Sequence, residues 1–363
     1  MRLKSQLPAD LLIRSAEEAV RRLALGELAR AEAAREALVA GDRDEALHGF
    51  RVALRRLRSL LRSHRDEFSL DFPRKLLKRI AALARDTNPG RDAEVQIAWL
   101  ETLRSALAAS ERAGHAELVR QLAERRDESY RKVEREIVRD FGALAGDLRE
   151  RLATYRVELR LDRRAKVTSL ARATRDALIR GREALVARLD RVASSADEAE
   201  CHAARIAAKR LRYLAEPIAA WIPEARTPIA RLKLLQDLLG ELHDGQLLAA
   251  LVASSLAEHE SRRALRLVEV TLGGAEGLAA APSAAPARRR ERSGLLAVAR
   301  ALGEKRQRLF AAIAEGWLGT AAPERTALAE ELELLHTRLS EPIRRRPSPK
   351  GRRSAPRAAR RAP

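Results

Sequence analysis

The chain has 363 residues, of which 34% are charged and only 3% aromatic, and its formal net charge is +20. Such an excess of basic residues favours a polyanionic partner: nucleic acid, an anionic membrane surface or a phosphate polymer. A hydrophobic content of 46% excludes a fully disordered chain, and the single Cys201 excludes an internal disulfide and fits a reducing compartment.

Apolar residues recur at helical spacing along most of the sequence, and few β-branched or aromatic residues are present to build sheets. We therefore predict an all-α protein. Taken in chain order, the pattern predicts a first helix at 9–40, which Gly41 ends, and a second at 45–64. A third helix is predicted to start after Pro73, and a fourth after the turn TNPGRD of residues 87–92. Two more are predicted at about 115–140 and 143–160.

No apolar run approaches the roughly 20 residues that a membrane-spanning helix needs. The N-terminal residues also lack the apolar core of a secretory signal, and acidic residues soon follow them. We therefore expect a cytoplasmic protein that does not insert into membranes.

The predicted helix at 45–64 contains the stretch ALHGFRVALRRLRSLLR, which has five arginines, one histidine and no acid. Because a helix turns by about 100° per residue, Arg51, Arg55 and Arg58 fall within about 80° of His48 on one side. Like charges four residues apart disfavour a helix by roughly 0.2–0.5 kcal/mol for each pair. A polyanion bound along this basic stripe would remove the repulsion, and arginine suits phosphate because its planar fork engages two oxygens.

The same spacing returns 154 residues later, in the stretch ECHAARIAAKRLRYLAE. The equivalent residues of this second basic stripe are His202, Arg205, Lys209 and Arg212. A charge run is usually a solvated face, but a solvated face has no reason to keep a histidine and four bases in register across a duplication. The domain-sized period therefore predicts a duplicated helical bundle.

The repeat extends to a turn about 40 residues after each stripe. There, Arg91 and Asp92 correspond to His243 and Asp244. We expect the two aspartates to cap helices, with orientation of nearby arginines as the second interpretation. His243 either extends the basic site or merely precedes the cap.

The pattern H-x-x-R-x-x-x-[R/K]-R-L-R, present twice and followed each time by an [R/H]-D pair, resembles the CHAD domain, a conserved-histidine α-helical domain. The resemblance covers nearly everything except the C-terminal tail. It implies two similar four-helix bundles about a pseudo-twofold axis, with a basic groove or central cavity between them. It also implies binding of inorganic polyphosphate.

By this resemblance, eight residues are expected to line the cavity: His48, Arg51, Arg55, Arg58, His202, Arg205, Lys209 and Arg212. For the two histidines, phosphate contact is favoured over simple packing. Weaker expectations, whose orientation the sequence does not fix, are Arg56, Arg210, Arg21, Arg175, Lys78 and Lys233.

Some CHAD proteins also carry a triphosphate-tunnel (CYTH) domain, and this sequence departs from that pattern. The E-x-E sequence formed by Glu134 and Glu136 lies in a helical pattern without the following lysine. We also find no metal-ligand motif, no phosphate-binding glycine loop and no nucleophile with a base at helical spacing. The sequence therefore predicts no cofactor, no metal and no enzymatic activity.

The predicted domain covers 6–342, with a first repeat at about 6–160 and a second at about 161–342. The Gly/Ala/Pro-rich stretch 273–294 is expected to be a flexible loop. The segment 343–363 is expected to be a disordered tail, and its last 20 residues contain nine bases and no acid. For 344–363, nonspecific DNA or RNA contact and a merely solvated tail both stay open. A nucleic-acid-binding protein that uses the basic fold and the tail is accordingly the alternative function. The scarcity of aromatic residues counts against stacking on single strands.

Overall fold

The structure, a computed structural model, describes residues 9–42, 44–67, 73–153, 168–272 and 285–341. Within these ranges the protein is all-α, as predicted, and no β-strand occurs. The helices, in chain order, are α1 Ala16–Val39, α2 Asp44–Ser63, α3 Arg74–Asp86, α4 Asn88–Leu103, α5 Arg112–Ala153, α6 Leu170–Leu189, α7 Glu198–Ala215, α8 Arg226–Leu272, α9 Ala285–Trp317 and α10 Pro323–Ser340.

The first predicted helix, at 9–40, is two elements. A short 3-10 helix covers Ala9–Ile13, and α1 starts only after Ser15, whose side chain accepts a hydrogen bond from the Glu18 N–H at 3.2 Å. The serine interrupts the helical pattern because it satisfies one of the backbone donors that a helix start leaves free. The predicted end of α1 is confirmed, since Gly41 has a φ of 95°.

The predicted turn at 87–92 is wrong, and so is the prediction that Asp92 and Asp244 cap helices. α4 already begins at Asn88 because a proline in the first turn of a helix loses no hydrogen bond. A Cβ on Gly90 would lie 2.1 Å from Cε1 of Tyr130, so this glycine permits a close approach of α4 and α5 and does not mark a turn. Asp92 therefore lies within α4, and Asp244 lies within the long α8.

Two further boundaries differ from the prediction. The helices expected at 115–140 and 143–160 form the single α5, because buried apolar residues at helical spacing run from Val133 through Phe141 to Leu152, across the predicted boundary. In the stretch 273–294, residues 285–294 belong to α9, while 273–284 lie outside the described residues. The tail 343–363 also lies outside them.

Two hydrophobic cores hold the helices together. The larger core joins α1, α2, α6, α7 and α10 with one half of α5 and the first part of α8. The smaller core joins α4 and α9 with the other half of α5 and the middle of α8. Along α8 the larger core ends at Leu242 and the smaller begins at Leu248, so His243 and Asp244 lie where the two cores meet.

Residues 154 positions apart meet at the starts of α1 and α6. The Ala16 N–H donates to the Thr168 carbonyl at 2.8 Å, and the Leu170 N–H donates to the Arg14 carbonyl at 3.0 Å. Ser169 also caps α6, as Ser15 caps α1, by accepting from the Arg172 N–H. This reciprocal exchange is the geometry expected around a local twofold axis.

Candidate anion-binding site

The apolar side of α2 fixes where its basic stripe points. Leu47, Phe50, Leu54, Leu57 and Leu61 are all at most 5% exposed. On α7, the predicted core position Cys201 and the apolar Leu211 are likewise buried. Because α2 and α7 also pack against each other, the two basic stripes lie side by side along their contact.

A group of bases from both helices surrounds Lys209. The neighbours that act on its charge, in order of strength, are Arg55, Arg205, Arg212 and Arg51. Burial and these four like charges lower the pKa of Lys209 to about 7. We call these five residues the central basic cluster: Arg51, Arg55, Arg205, Lys209 and Arg212.

Arg51 is the most deeply placed member, with only 8% of its surface exposed. Burial first, and Arg55 second, lower its pKa to about 10. The Nε atoms of Arg51 and Arg205 are buried and have no hydrogen-bond acceptor within the part of the chain that the structure describes. A buried donor without an acceptor costs about 1–3 kcal/mol, and more when the group is charged.

Two half-buried carboxylates partly balance this charge. Asp92 lies within electrostatic reach of Arg51, His243 and Arg205. Asp244 lies within reach of Arg205, His243 and Asp92. Burial raises the pKa of both aspartates, although the nearby bases oppose that effect. Their second interpretation, orientation of arginines, is therefore consistent with their position.

The two predicted histidines have different surroundings. His48 is exposed at the start of α2. The ring of His202 lies 4.7 Å from that of His243, and its Nδ1 is buried with no hydrogen-bond partner among the described residues. Burial lowers the pKa of His202, and His243 and then Arg205 lower it further. His243, whose role the sequence left open, thus lies beside the basic site.

Arg58 groups with different neighbours from those of the central basic cluster. Its pKa is lowered by burial, then by Arg62 and Arg85. The pKa of Arg210 is lowered by burial, then by Arg62 and Arg58. Arg56 instead forms an ion pair with Glu216 at 3.3 Å. The bases of α2 and α7 are therefore divided among three places along the helix pair.

Among the remaining weaker candidates, Arg21, Arg175 and Lys233 have partners of their own. Arg21 forms an ion pair with Glu17 at 2.8 Å and donates to the Arg151 carbonyl. Arg175 pairs with Asp176 at 2.8 Å and donates to the Ser340 hydroxyl at 3.3 Å. Lys233 pairs with Asp237 at 2.6 Å, and Lys78 is exposed. None of these contacts joins a residue to the central basic cluster.

Sequence reasoning did not assign Glu216 to the site, although it stands 154 residues after Arg62 and the repeat register would have found it. It ties together Arg56 and Arg212, each at 3.3 Å. Among the residues that the structure describes, no group of His, Cys, Asp and Glu is arranged to hold a metal ion. In the same ranges, no helix has both the length and the apolar character needed to cross a membrane.

The chain is similar to known proteins over most of its length. The family model of the CHAD domain matches residues 22–253. The crystal structure of the CHAD domain from the plant Ricinus communis is similar, with a TM-score of 0.55 and 20% identity, over 90% of this chain and 93% of that one. PptA from Streptomyces chartreusis aligns with a TM-score of 0.54 and 18% identity, over 82% of this chain and 100% of that one. No curated protein matches the chain.

Proposed function

The chain belongs to the CHAD domain family, which is known in polyphosphate-associated proteins, and on this premise we propose that it binds inorganic polyphosphate at the central basic cluster. The observation that carries the proposal is the meeting of four arginines from two helices around the half-buried Lys209. Each internal phosphate of the polymer carries a negative charge, so the ligand and the cluster are complementary.

In the protein without ligand, this arrangement of bases is energetically unfavourable. Burial and then neighbouring like charges lower the pKa values of Lys209 and Arg51, and two buried guanidinium Nε atoms have no acceptor within the described ranges. Phosphate oxygens would supply both the missing charge and the missing acceptors. The energy stored as repulsion in the free protein would then contribute to binding.

Asp92 and Asp244 reduce the positive charge of the site but do not cancel it. Asp92 and Asp244 stand against five bases of the central basic cluster and two histidines, so the site keeps an excess of positive charge. We assign Arg55, Arg205, Lys209 and Arg212 to direct phosphate contact. Arg51, the most buried, contributes through its charge and holds the neighbouring side chains apart.

We propose that the two basic stripes derive from an internal duplication, with a basic groove along α2 and α7. Support comes from the 154-residue register of α1 with α6 and of α2 with α7. The reciprocal hydrogen bonds between Ala16 and Thr168 and between Leu170 and Arg14 support it as well.

We further propose a binding protein that is not an enzyme, located in the cytoplasm at polyphosphate granules or the nucleoid. A flexible polyanion held across two helices needs positive charge and hydrogen-bond donors from the protein, but no group that transfers protons or forms covalent bonds. The tail 344–363 would add nonspecific contacts to DNA or RNA.

The test compares long-chain polyphosphate with duplex DNA of equal total charge, at physiological salt. It uses the full chain and a variant that lacks residues 344–363. We expect both proteins to prefer polyphosphate, and only DNA binding to weaken when the tail is removed. Equal and weak binding of the two polymers by the shortened protein would overturn the proposal and favour generic nucleic-acid binding.

A further inference from the structure

The two ends of the α2/α7 pair are not equivalent. Residues 62 and 216 occupy corresponding places in the 154-residue register, but one is Arg62 and the other is Glu216. A single difference of this kind reverses the charge at one end of the proposed groove. The surroundings of each residue decide what that reversal means.

At one end, Glu216 neutralises the bases around it. Its Oε2 lies 3.3 Å from Nε of Arg56, and its Oε1 lies 3.3 Å from Nε of Arg212. Glu27 lies within electrostatic reach of Arg56 and Glu216 and forms an ion pair with Arg30. Three guanidinium groups thus face two carboxylates, and this end is nearly balanced.

At the other end, arginines face one another. Arg58 and Arg62 lie on successive turns of α2, within electrostatic reach of Arg210 on α7, and Arg85 reaches Arg58 from the end of α3. We call these four residues the outer arginine cluster: Arg58, Arg62, Arg85 and Arg210. None of the four forms an ion pair with a carboxylate in the described part of the chain.

The outer arginine cluster cannot relieve its repulsion by losing protons, because arginine stays charged at neutral pH. Arg62, Arg85 and Arg210 are exposed, so a ligand can reach them. Arg188, which also acts on Arg210, is already paired with Glu200 at 3.5 Å. The cluster is therefore a surface of uncompensated guanidinium groups that continues the line of Arg51 and Arg55 along α2.

We propose that the outer arginine cluster is a second phosphate-binding subsite, and that a polyphosphate chain extends from the central basic cluster over Arg62 and stops before Glu216. This inference rests on the proposed function and adds the direction in which the bound polyphosphate chain runs. From Arg55 to Arg62 the helix rises about 10 Å. A short oligophosphate seated at the central basic cluster therefore falls short of Arg62, whereas a long chain reaches it.

The experiment measures the affinity of full-length variants for long-chain polyphosphate and for tripolyphosphate. Arg62→Glu gives both ends an acid, and Glu216→Arg gives both ends a base. Arg104→Glu at the end of α4, whose side chain is 72% exposed, is the control for net charge. We expect Arg62→Glu to weaken long-chain binding about tenfold and tripolyphosphate binding far less. Glu216→Arg should strengthen long-chain binding.

Three other outcomes are distinguishable. If wild-type protein prefers polyphosphate to DNA but Arg62→Glu behaves like Arg104→Glu, the outer subsite is wrong and the central site stands. If wild-type protein shows no such preference, the proposed function fails and the subsite fails with it. An equal loss for tripolyphosphate and the long chain in Arg62→Glu would also overturn the subsite, because it would reflect the general field of the protein.

Discussion

Helices α2 and α7 carry nearly the same spacing of bases but have different surroundings. His48 on α2 is exposed, whereas its counterpart His202 packs 4.7 Å from His243. Arg62 on the last turn of α2 belongs to the outer arginine cluster, whereas Glu216, just after α7, is paired with two arginines. A repeated sequence motif has therefore produced an asymmetric surface.

The comparison is sharpest at residues 55 and 209, which correspond in the 154-residue register. One is arginine, which keeps its charge at every physiological pH, and the other is lysine, whose pKa burial and neighbouring bases lower to about 7. Only the α7 side of the central basic cluster is therefore able to exchange a proton near neutral pH. Three predictions follow from this difference, from the largest effect to the smallest.

The largest effect is expected from reversing both equivalent charges at once. Arg55→Glu with Lys209→Glu places two acids where the helices meet, and loss of charge-assisted contacts worth about 1.5–3 kcal/mol each predicts a drop in polyphosphate affinity of roughly 100-fold or more. Titration calorimetry at fixed salt measures the change. The matched control reverses Arg104 and Arg139, whose side chains are both 72% exposed. A loss of the same size in the control would contradict a localised site.

A smaller effect is expected from the proton that Lys209 takes up when polyphosphate binds. Phosphate should raise the pKa of Lys209 above its value of about 7 in the free protein. Below pH 7, Lys209 is already charged and binding takes up no proton there. Above pH 7, binding takes up as much as one proton, and affinity falls by at most about tenfold per pH unit until the raised pKa is passed.

Calorimetry in buffers of different ionisation enthalpy, between pH 7.5 and 8.5, measures this uptake. Lys209→Arg should abolish it and make affinity nearly independent of pH in that range. Arg55→Lys is the reciprocal variant, and it tests whether the α2 side offers an equally depressed position. Proton uptake that persists in Lys209→Arg would show that another group is responsible.

The smallest effect is expected at the half-buried carboxylates of Asp92 and Asp244. Asp92→Asn and Asp244→Asn each remove one negative charge that offsets the bases, so each should raise polyphosphate affinity by roughly two- to fivefold. Neither should lower thermal stability, because burial raises the pKa of both aspartates and so disfavours the charged form more than the nearby bases favour it. Weaker binding in both variants, with the fold intact by circular dichroism, would mean that the aspartates position the arginines for the ligand.

Much of the fold was predictable from local signals. Helical periodicity predicted the all-α class, and the 154-residue register of the basic stripes aligned α2 with α7, which begin at Asp44 and Glu198. The predictions were wrong where a residue type is compatible with two kinds of local structure. The proline and glycine of TNPGRD indicate a turn by themselves, but they lie inside α4 because Tyr130 packs against Gly90.

The sequence by itself determined which residues carry the charge, since the side-chain types and their helical spacing place each basic stripe beside an apolar one. Only the tertiary structure decided which charges meet. Arg55 and Lys209 come together because α2 packs on α7, Asp92 and Asp244 are half-buried beside the bases because two cores join there, and Glu216 reaches Arg56 across the helix pair. These contacts are long-range, and their electrostatic energies depend on distance and burial that no local pattern specifies.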